Sequence, residues 1–166
     1  MREVLIITGA CGVGKSTIAR EWAKSKQGAT VECDFLTEWI YNEDFPRWTI
    51  EEEIFVAKLA AKIAIEYLEY GMSTTIENVW TPKGIEILVD EIQTKVHIVP
   101  KVIWLFSELS ENLRRDQQRI SEDQMGERVD IVNRELADYS WPEYLHKIDT
   151  TKLTIVQTLT VISSIE

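Results

Sequence analysis

Gly9-Ala10-Cys11-Gly12-Val13-Gly14-Lys15-Ser16, directly behind the apolar run Val4-Leu5-Ile6-Ile7 and Thr8, decides how the rest of the chain reads. It satisfies the pattern G-x-x-x-x-G-K-[ST] at every specified position. The apolar run, with two β-branched isoleucines and a valine, reads as a strand covered on both faces. Beyond the glycines, Ile18, Ala19, Trp22 and Ala23 recur at helical spacing, which predicts a helix over 16–26 closing near Gly28. A glycine-rich loop between a strand and a helix turns successive N–H groups toward an anion, and the helix adds the positive end of its dipole. The ligand expected there is a polyphosphate, cradled by Gly9, Gly12, Val13, Gly14, Lys15, Ser16 and Thr17. Lys15 is expected to neutralise the β- and γ-phosphates and the Ser16 hydroxyl to coordinate Mg²⁺. A turn that needed glycine for geometry alone would leave the order Lys15-Ser16 unexplained.

The same alternation continues outward from this stretch. Residues 29–33 read as a second strand. Residues 35–50, with Phe35, Trp39, Tyr41, Phe45 and Trp48 around the breaker Pro46, read as a short helix and a loop. Over 50–70 the pattern is helical, with Ile54, Ala57, Ala61, Ile65 and Leu68 on one face and a narrow polar stripe opposite. Residues 72–77 supply a third strand, and Pro82 opens a helix that continues over 84–94. A fourth strand is expected over 102–106, helices over 109–120 and 127–139, a last strand over 144–148 and a closing helix over 155–165. Strands alternating with helices at this spacing imply right-handed βαβ crossovers, hence the α/β class with a mostly parallel sheet covered on both faces. In such sheets ligands sit outside the carboxyl ends of the strands, which is where side chains with chemistry are sought.

Composition narrows the function. A chain of 166 residues, 45% hydrophobic and 28% charged, is expected to form one domain over 1–166. Its 18 Lys and Arg stand against 28 Asp and Glu, a formal charge of −10 that would repel a phosphate backbone, so nucleic acid is not an expected partner. Apolar stretches are broken before the roughly 20 residues needed to span a bilayer, and no membrane association is expected. Two cysteines, Cys11 and Cys33, and the absence of a signal-peptide pattern lead to the cytoplasm as the expected compartment.

The opening 8–17, a short strand followed by Asp34, a late arginine-rich helix and the closing Ile148-Asp149-Thr150-Thr151 together resemble the small P-loop kinases. The nearest likeness is to the chloramphenicol phosphotransferase-like, gluconate kinase-like and shikimate kinase-like proteins. The resemblance implies a P-loop NTPase three-layer sandwich whose five-stranded parallel sheet runs in the order 2-3-1-4-5. It also implies a substrate-covering segment over 35–50, a small lid over 110–130, ATP with Mg²⁺, and a small-molecule hydroxyl acceptor. Asp34 falls where these kinases carry the carboxylate that contacts the acceptor hydroxyl; a helix N-cap for the segment starting at Phe35 is the other reading open to it. Glu77 and Asn78, at the end of the third strand, are the candidates for holding a Mg²⁺-bound water or the substrate, with Glu77 the metal-side choice; the chain departs from the family's pattern in having no apolar run that ends in a plain aspartate. Arg115 and Arg119, one turn apart on the expected helix, are the preferred pair for stabilising charge on the transferred group, with Arg128 a third candidate near the nucleotide. The loop after Asp149 resembles the family's adenine-lining loop, although Asp149 or Thr150 would serve equally as a cap for the last helix. Trp39, Tyr41, Phe45, Arg47, Trp48 and Trp80 offer a wall for the acceptor. A nucleotide-dependent binding protein without transfer, and a nucleoside or polynucleotide kinase, are the alternatives to a small-molecule kinase.

Overall fold

The structure is a computed structural model that describes residues 2–165, with backbone only at Asp123. Five strands, β1 (Val4–Thr8), β2 (Ala29–Glu32), β3 (Thr74–Glu77), β4 (Lys101–Phe106) and β5 (Leu145–Asp149), form one sheet in the order β2-β3-β1-β4-β5. Every pairing is parallel. This is the order expected from the resemblance. β1 is central, and its unbroken apolar run follows from burial on both faces. Val4 and Ile6 join Val31, Ile76 and Val102 in one core, whereas Leu5 and Ile7 join Ile103, Leu105 and Ile148 in the other.

Helices α1 (Lys15–Ser25), α2 (Phe35–Glu38), α3 (Ile50–Glu69), α4 (Pro82–Val96), α5 (Leu109–Gln117), α6 (Arg128–Asp138) and α7 (Ile155–Ser164) fill the layers. Ala57, Ala60, Ala61 and Ala64 bring α3 close to the first core, beside Leu88 and Ile92 of α4. Ile18, Ala19 and Trp22 of α1, Val132 and Leu136 of α6 and Ile162 of α7 cover the second. None of the helices among the described residues is long and apolar enough to cross a membrane.

The caps explain where helices start. Thr49 accepts the Glu52 N–H at 3.2 Å to open α3, and Thr81 accepts that of Lys83 ahead of Pro82 in α4. Thr154 and Gln157 form a capping box on α7, so neither Asp149 nor Thr150 caps that helix. Asp149 instead accepts from the backbone and hydroxyl of Thr151 at 2.9 and 2.5 Å.

Helix α1 closes just ahead of Gly28, as expected, with Gln27 (φ 51) left-handed in the turn. Gly28 is needed for close approach, because a Cβ there would lie 2.1 Å from the Ser73 carbonyl oxygen. Two expectations are corrected. The helix expected over 109–120 ends at Gln117, with Arg119 in the loop beyond. Trp80 is fully buried in the core beside Ile85, so it is no part of an acceptor wall.

Candidate active site

The sheet register determines which carboxyl ends meet. Ile7 of β1 lies opposite Glu77 of β3, and Glu77 lies opposite Glu32 of β2. The glycine-rich loop leaving β1 is therefore flanked by Glu77, and Asp34 follows two residues beyond the end of β2. Gly12 (φ 83) and Gly14 (φ 96) give the loop its left-handed turns. A Cβ on Gly12 would also lie 2.9 Å from the Asn112 carbonyl oxygen of α5. Gly12→Ala is expected to cost about 1–3 kcal/mol through this strain and crowding, read as a lower midpoint in chemical denaturation together with weaker nucleotide binding.

Lys15 reaches back over the loop and its ammonium donates to the Ala10 carbonyl at 3.2 Å. Ser16, at the start of α1, donates its hydroxyl to Glu77 Oε1 at 3.0 Å. Glu77 is 3% exposed. Burial raises its pKa above the usual 4.5; Lys15 and the Ser16 hydrogen bond oppose the shift, while Asp34 and Glu32 add to it. A buried carboxylate whose folded pKa is raised retains its proton to higher pH than the unfolded chain does. Its contribution to stability is thus full below about 4.5 and lost as pH rises through the folded value. In metal-free protein, Glu77→Gln is expected to flatten that part of the stability profile relative to wild type, measured by denaturant unfolding at a series of pH values.

On the other side of Glu77, Asp34 is exposed and its side chain makes no capping bond to α2, whose preceding position it occupies. The cap alternative is therefore not realised. Arg20 of α1 is held by Glu32 through two hydrogen bonds of 2.5 Å, and Arg47 donates to the carbonyls of Ile40 at 2.7 Å and Thr37 at 3.4 Å. Trp39, Tyr41 and Trp48 stand exposed on the segment after α2, and Phe45 packs edge-on against Phe55. A cavity of about 300 Å³ opens between β2, α2 and α3, with Glu32, Phe35, Ile63 and Tyr67 on its wall and none of Trp39, Tyr41, Phe45 and Trp48 among its lining residues.

The opposite flank of the loop is an open cavity of about 690 Å³, lined by Gly14, Thr17, Arg115, Gln118, Thr150 and Leu153 among others. Arg115 is fixed there. Its guanidinium donates to the Thr150 carbonyl at 2.8 Å, the Thr150 hydroxyl at 3.2 Å and the Val13 carbonyl at 3.3 Å. Glu111 binds both Arg115 and Arg114, and their hydrogen bonds hold its pKa down to about 2. Arg115 thus braces the glycine-rich loop against the turn after β5.

Arg119 does not share a helical face with Arg115, because α5 ends at Gln117, two residues earlier. The cause is Asp116, a buried carboxylate near the end of α5. It is 2% exposed and takes the N–H groups of Met125 at 3.0 Å and Gly126 at 2.9 Å, folding the loop back on the helix. Arg128, at the start of α6, lies over the Trp48 ring, 4.2 Å from its centroid. The structure therefore gathers Lys15, Ser16, Glu77 and the loop backbone, places Asp34 on one flank and Arg115 on the other, and sets Arg119 and Arg128 outside this group. Cys11 and Cys33 are both free thiols. Asp116, Glu111 and Thr150 carry structural roles that no spacing signalled.

The P-loop between β1 and α1, with five parallel strands in the order 2-3-1-4-5, defines a P-loop NTPase fold. More narrowly, it is the fold of the small P-loop kinases. No protein-family profile matches the chain. Among solved structures, a sugar kinase from Janibacter sp. HTCC2649, solved without ligand, superposes with a TM-score of 0.75 at 15% identity, covering 99% of this chain and 94% of the other. The Mycobacterium tuberculosis APS kinase, in complex with AMPPNP and APS, gives 0.71 at 15% identity over 98% and 96%. A tunicamycin resistance protein from Deinococcus radiodurans gives 0.66 at 16% identity over 99% and 95%. At such identities the likeness is one of fold.

Proposed function

We propose that this protein is a phosphotransferase that moves the γ-phosphoryl group of ATP onto a hydroxyl of a small molecule. The observation that carries the reading is the Ser16–Glu77 hydrogen bond beside Lys15, with Asp34 one strand further along the same sheet edge. The use of ATP draws support from the similar APS kinase, which was solved with AMPPNP. The Ser16 hydroxyl and the Glu77 carboxylate are hard oxygen donors of the kind Mg²⁺ takes alongside water and phosphate oxygens. Once bound, the ion would neutralise negative charge on the phosphates. Lys15 supplies a second positive charge to the transferred group, and the loop amides hold the polyphosphate in line.

In the transfer, the acceptor oxygen forms a bond to the γ-phosphorus while the bond to the ADP oxygen breaks. The hydroxyl proton passes to the carboxylate of Asp34, which also orients the attacking oxygen. Arg115, tied to the P-loop and to Thr150, shapes the nucleoside cavity.

The chemistry of the acceptor follows from the charges on its flank. Between Glu32 and Glu53 the chain carries eight carboxylates and one cation, and that cation, Arg47, is bound to backbone carbonyls. Together with the exposed rings, this favours a ring-bearing alcohol that is neutral or carries an amine. The test is ADP formation from Mg²⁺·ATP with pairs of acceptors matched in shape and differing in charge. Amine-bearing or neutral members are expected to exceed their carboxylate counterparts by about tenfold or more in kcat/KM, given the cost of like charges at close range. Preference for the carboxylate members would overturn the acceptor assignment, and no acceptor-stimulated ADP formation would overturn the phosphotransferase reading.

A further inference from the structure

Trp48 occupies the left-handed region (φ 62), an uncommon conformation for a bulky residue. Its N–H is held by the Glu52 carboxylate, and neighbouring Thr49 donates its hydroxyl to the Pro46 carbonyl at 2.6 Å while capping α3. The outcome is a tryptophan residue 78% exposed, with the Arg128 guanidinium on the face of its ring. Burial does not account for a strained, exposed tryptophan, and observed strain of this kind is a reason to look for a functional contact.

The two residues come from opposite sides of the P-loop. Trp48 belongs to the segment that follows β2 and α2, and Arg128 to the segment that follows β4 and α5. In the order β2-β3-β1-β4-β5, their contact spans the carboxyl ends of β3 and β1, where Glu77 and the P-loop lie. Arg128 is delivered by a fixed loop. Asp116 holds the N–H groups of Met125 and Gly126, and Gln124 donates to the carbonyls of Gln117 at 3.2 Å and Arg119 at 2.9 Å. Below it, Asn112 of α5 donates to Asn133 of α6 at 3.3 Å, and Asn133 donates to the Val129 carbonyl at 2.8 Å. Both buried residues of α5, Asn112 and Asp116, are polar. Hydrogen bonds, which specify one register, therefore help to set α6 against α5.

We infer that Trp48 and Arg128 form a clasp closing the acceptor site between the two covering segments, and that Asp116 is the positioning residue that presents Arg128 to Trp48. The inference rests on the phosphotransferase reading for what the closed site does. A closed cover keeps water from the transferred group and holds the acceptor, so weakening the clasp raises the acceptor KM more than it lowers kcat.

Backbone hydrogen exchange over 45–52, measured on the whole protein without acceptor, tests the clasp itself. Arg128→Ala removes the cation while leaving the Asp116 hydrogen bonds in place. It is expected to speed exchange of the 48–52 amides about two- to five-fold, as loss of an exposed cation–π contact implies, and Arg128→Lys to restore most of the protection. Asp116→Asn is expected to speed exchange over 119–127 and 48–52 together. With an acceptor that supports turnover, Arg128→Ala is expected to raise its KM, and Arg128→Lys to restore most of the wild-type value. Unchanged exchange over 48–52 in Arg128→Ala overturns the clasp. Unchanged acceptor KM with faster exchange overturns its role in closing the site. Absence of transfer with every acceptor is a separate result, which removes the phosphotransferase reading and the clasp's role with it.

Discussion

Lys15→Ala is expected to lower acceptor-dependent ADP formation by about two to three orders of magnitude, the scale seen when one preorganised group that stabilises developing charge is removed. Lys15 leaves the loop with its ammonium 3.2 Å from the Ala10 carbonyl, over the cradle that Gly12 and Gly14 shape. It is also a positive charge that opposes the raised pKa of the buried Glu77. Its loss therefore removes charge from the transferred group and leaves Glu77 with the Ser16 hydroxyl alone to offset burial. Two consequences are expected: weaker nucleotide binding, and a Glu77 that holds its proton to still higher pH. Steady-state kinetics and nucleotide titration measure the first. A Lys15→Ala variant with near wild-type turnover would remove the P-loop from the reaction.

Asp34→Asn is expected to reduce transfer by about two to four orders of magnitude, the range for loss of a positioned general base, with nucleotide affinity close to wild type. Asn keeps the size of the side chain and loses the charge and the proton acceptor. Because Asp34 makes no capping bond to α2, the substitution leaves the helix start intact, and a stability change above about 0.5 kcal/mol is not expected for an exposed site. Removing this neighbouring charge also relieves Glu77 of one of the influences that raise its pKa. Turnover and binding thus separate at Asp34, whereas at Lys15 both fall. Equal loss of binding and turnover in Asp34→Asn would assign the residue to folding of the site.

Much of this arrangement was legible in the sequence because it is local. The apolar run of β1 is continuous since both faces of a central strand are buried, and the P-loop carries its geometry in glycines, Lys15 and Ser16. Carboxyl ends of parallel strands gather on one edge, so Glu77 and Asp34 were findable from the positions where strands stop. Features created by contacts between distant segments were not legible. The end of α5 at Gln117 depends on the buried Asp116 reaching Met125 and Gly126, which is indistinguishable by spacing from a charge on a solvated face. Arg115 shares its pattern with Arg114 and Arg119, but only the fold sets it against Thr150 and Val13. Trp80 resembled the exposed rings in type and position, yet its place at the start of the turn into α4 directs it into the core. The left-handed Trp48 and its partner Arg128 had no local signature, because the contact joins segments on opposite sides of the P-loop.

The most direct test of a phosphotransferase is to follow the γ-phosphoryl group itself. Wild type and Asp34→Asn would be incubated with Mg²⁺·ATP radiolabelled in that group and with the amine-bearing or neutral ring alcohol that best stimulates ADP release, and the label would be located by chromatography. The expected result is label on the acceptor in wild type and its near absence in Asp34→Asn, while both proteins still bind nucleotide. Label found only in ATP and inorganic phosphate, equally in both proteins, would contradict transfer and point to a nucleotide-dependent binding protein built on the same fold.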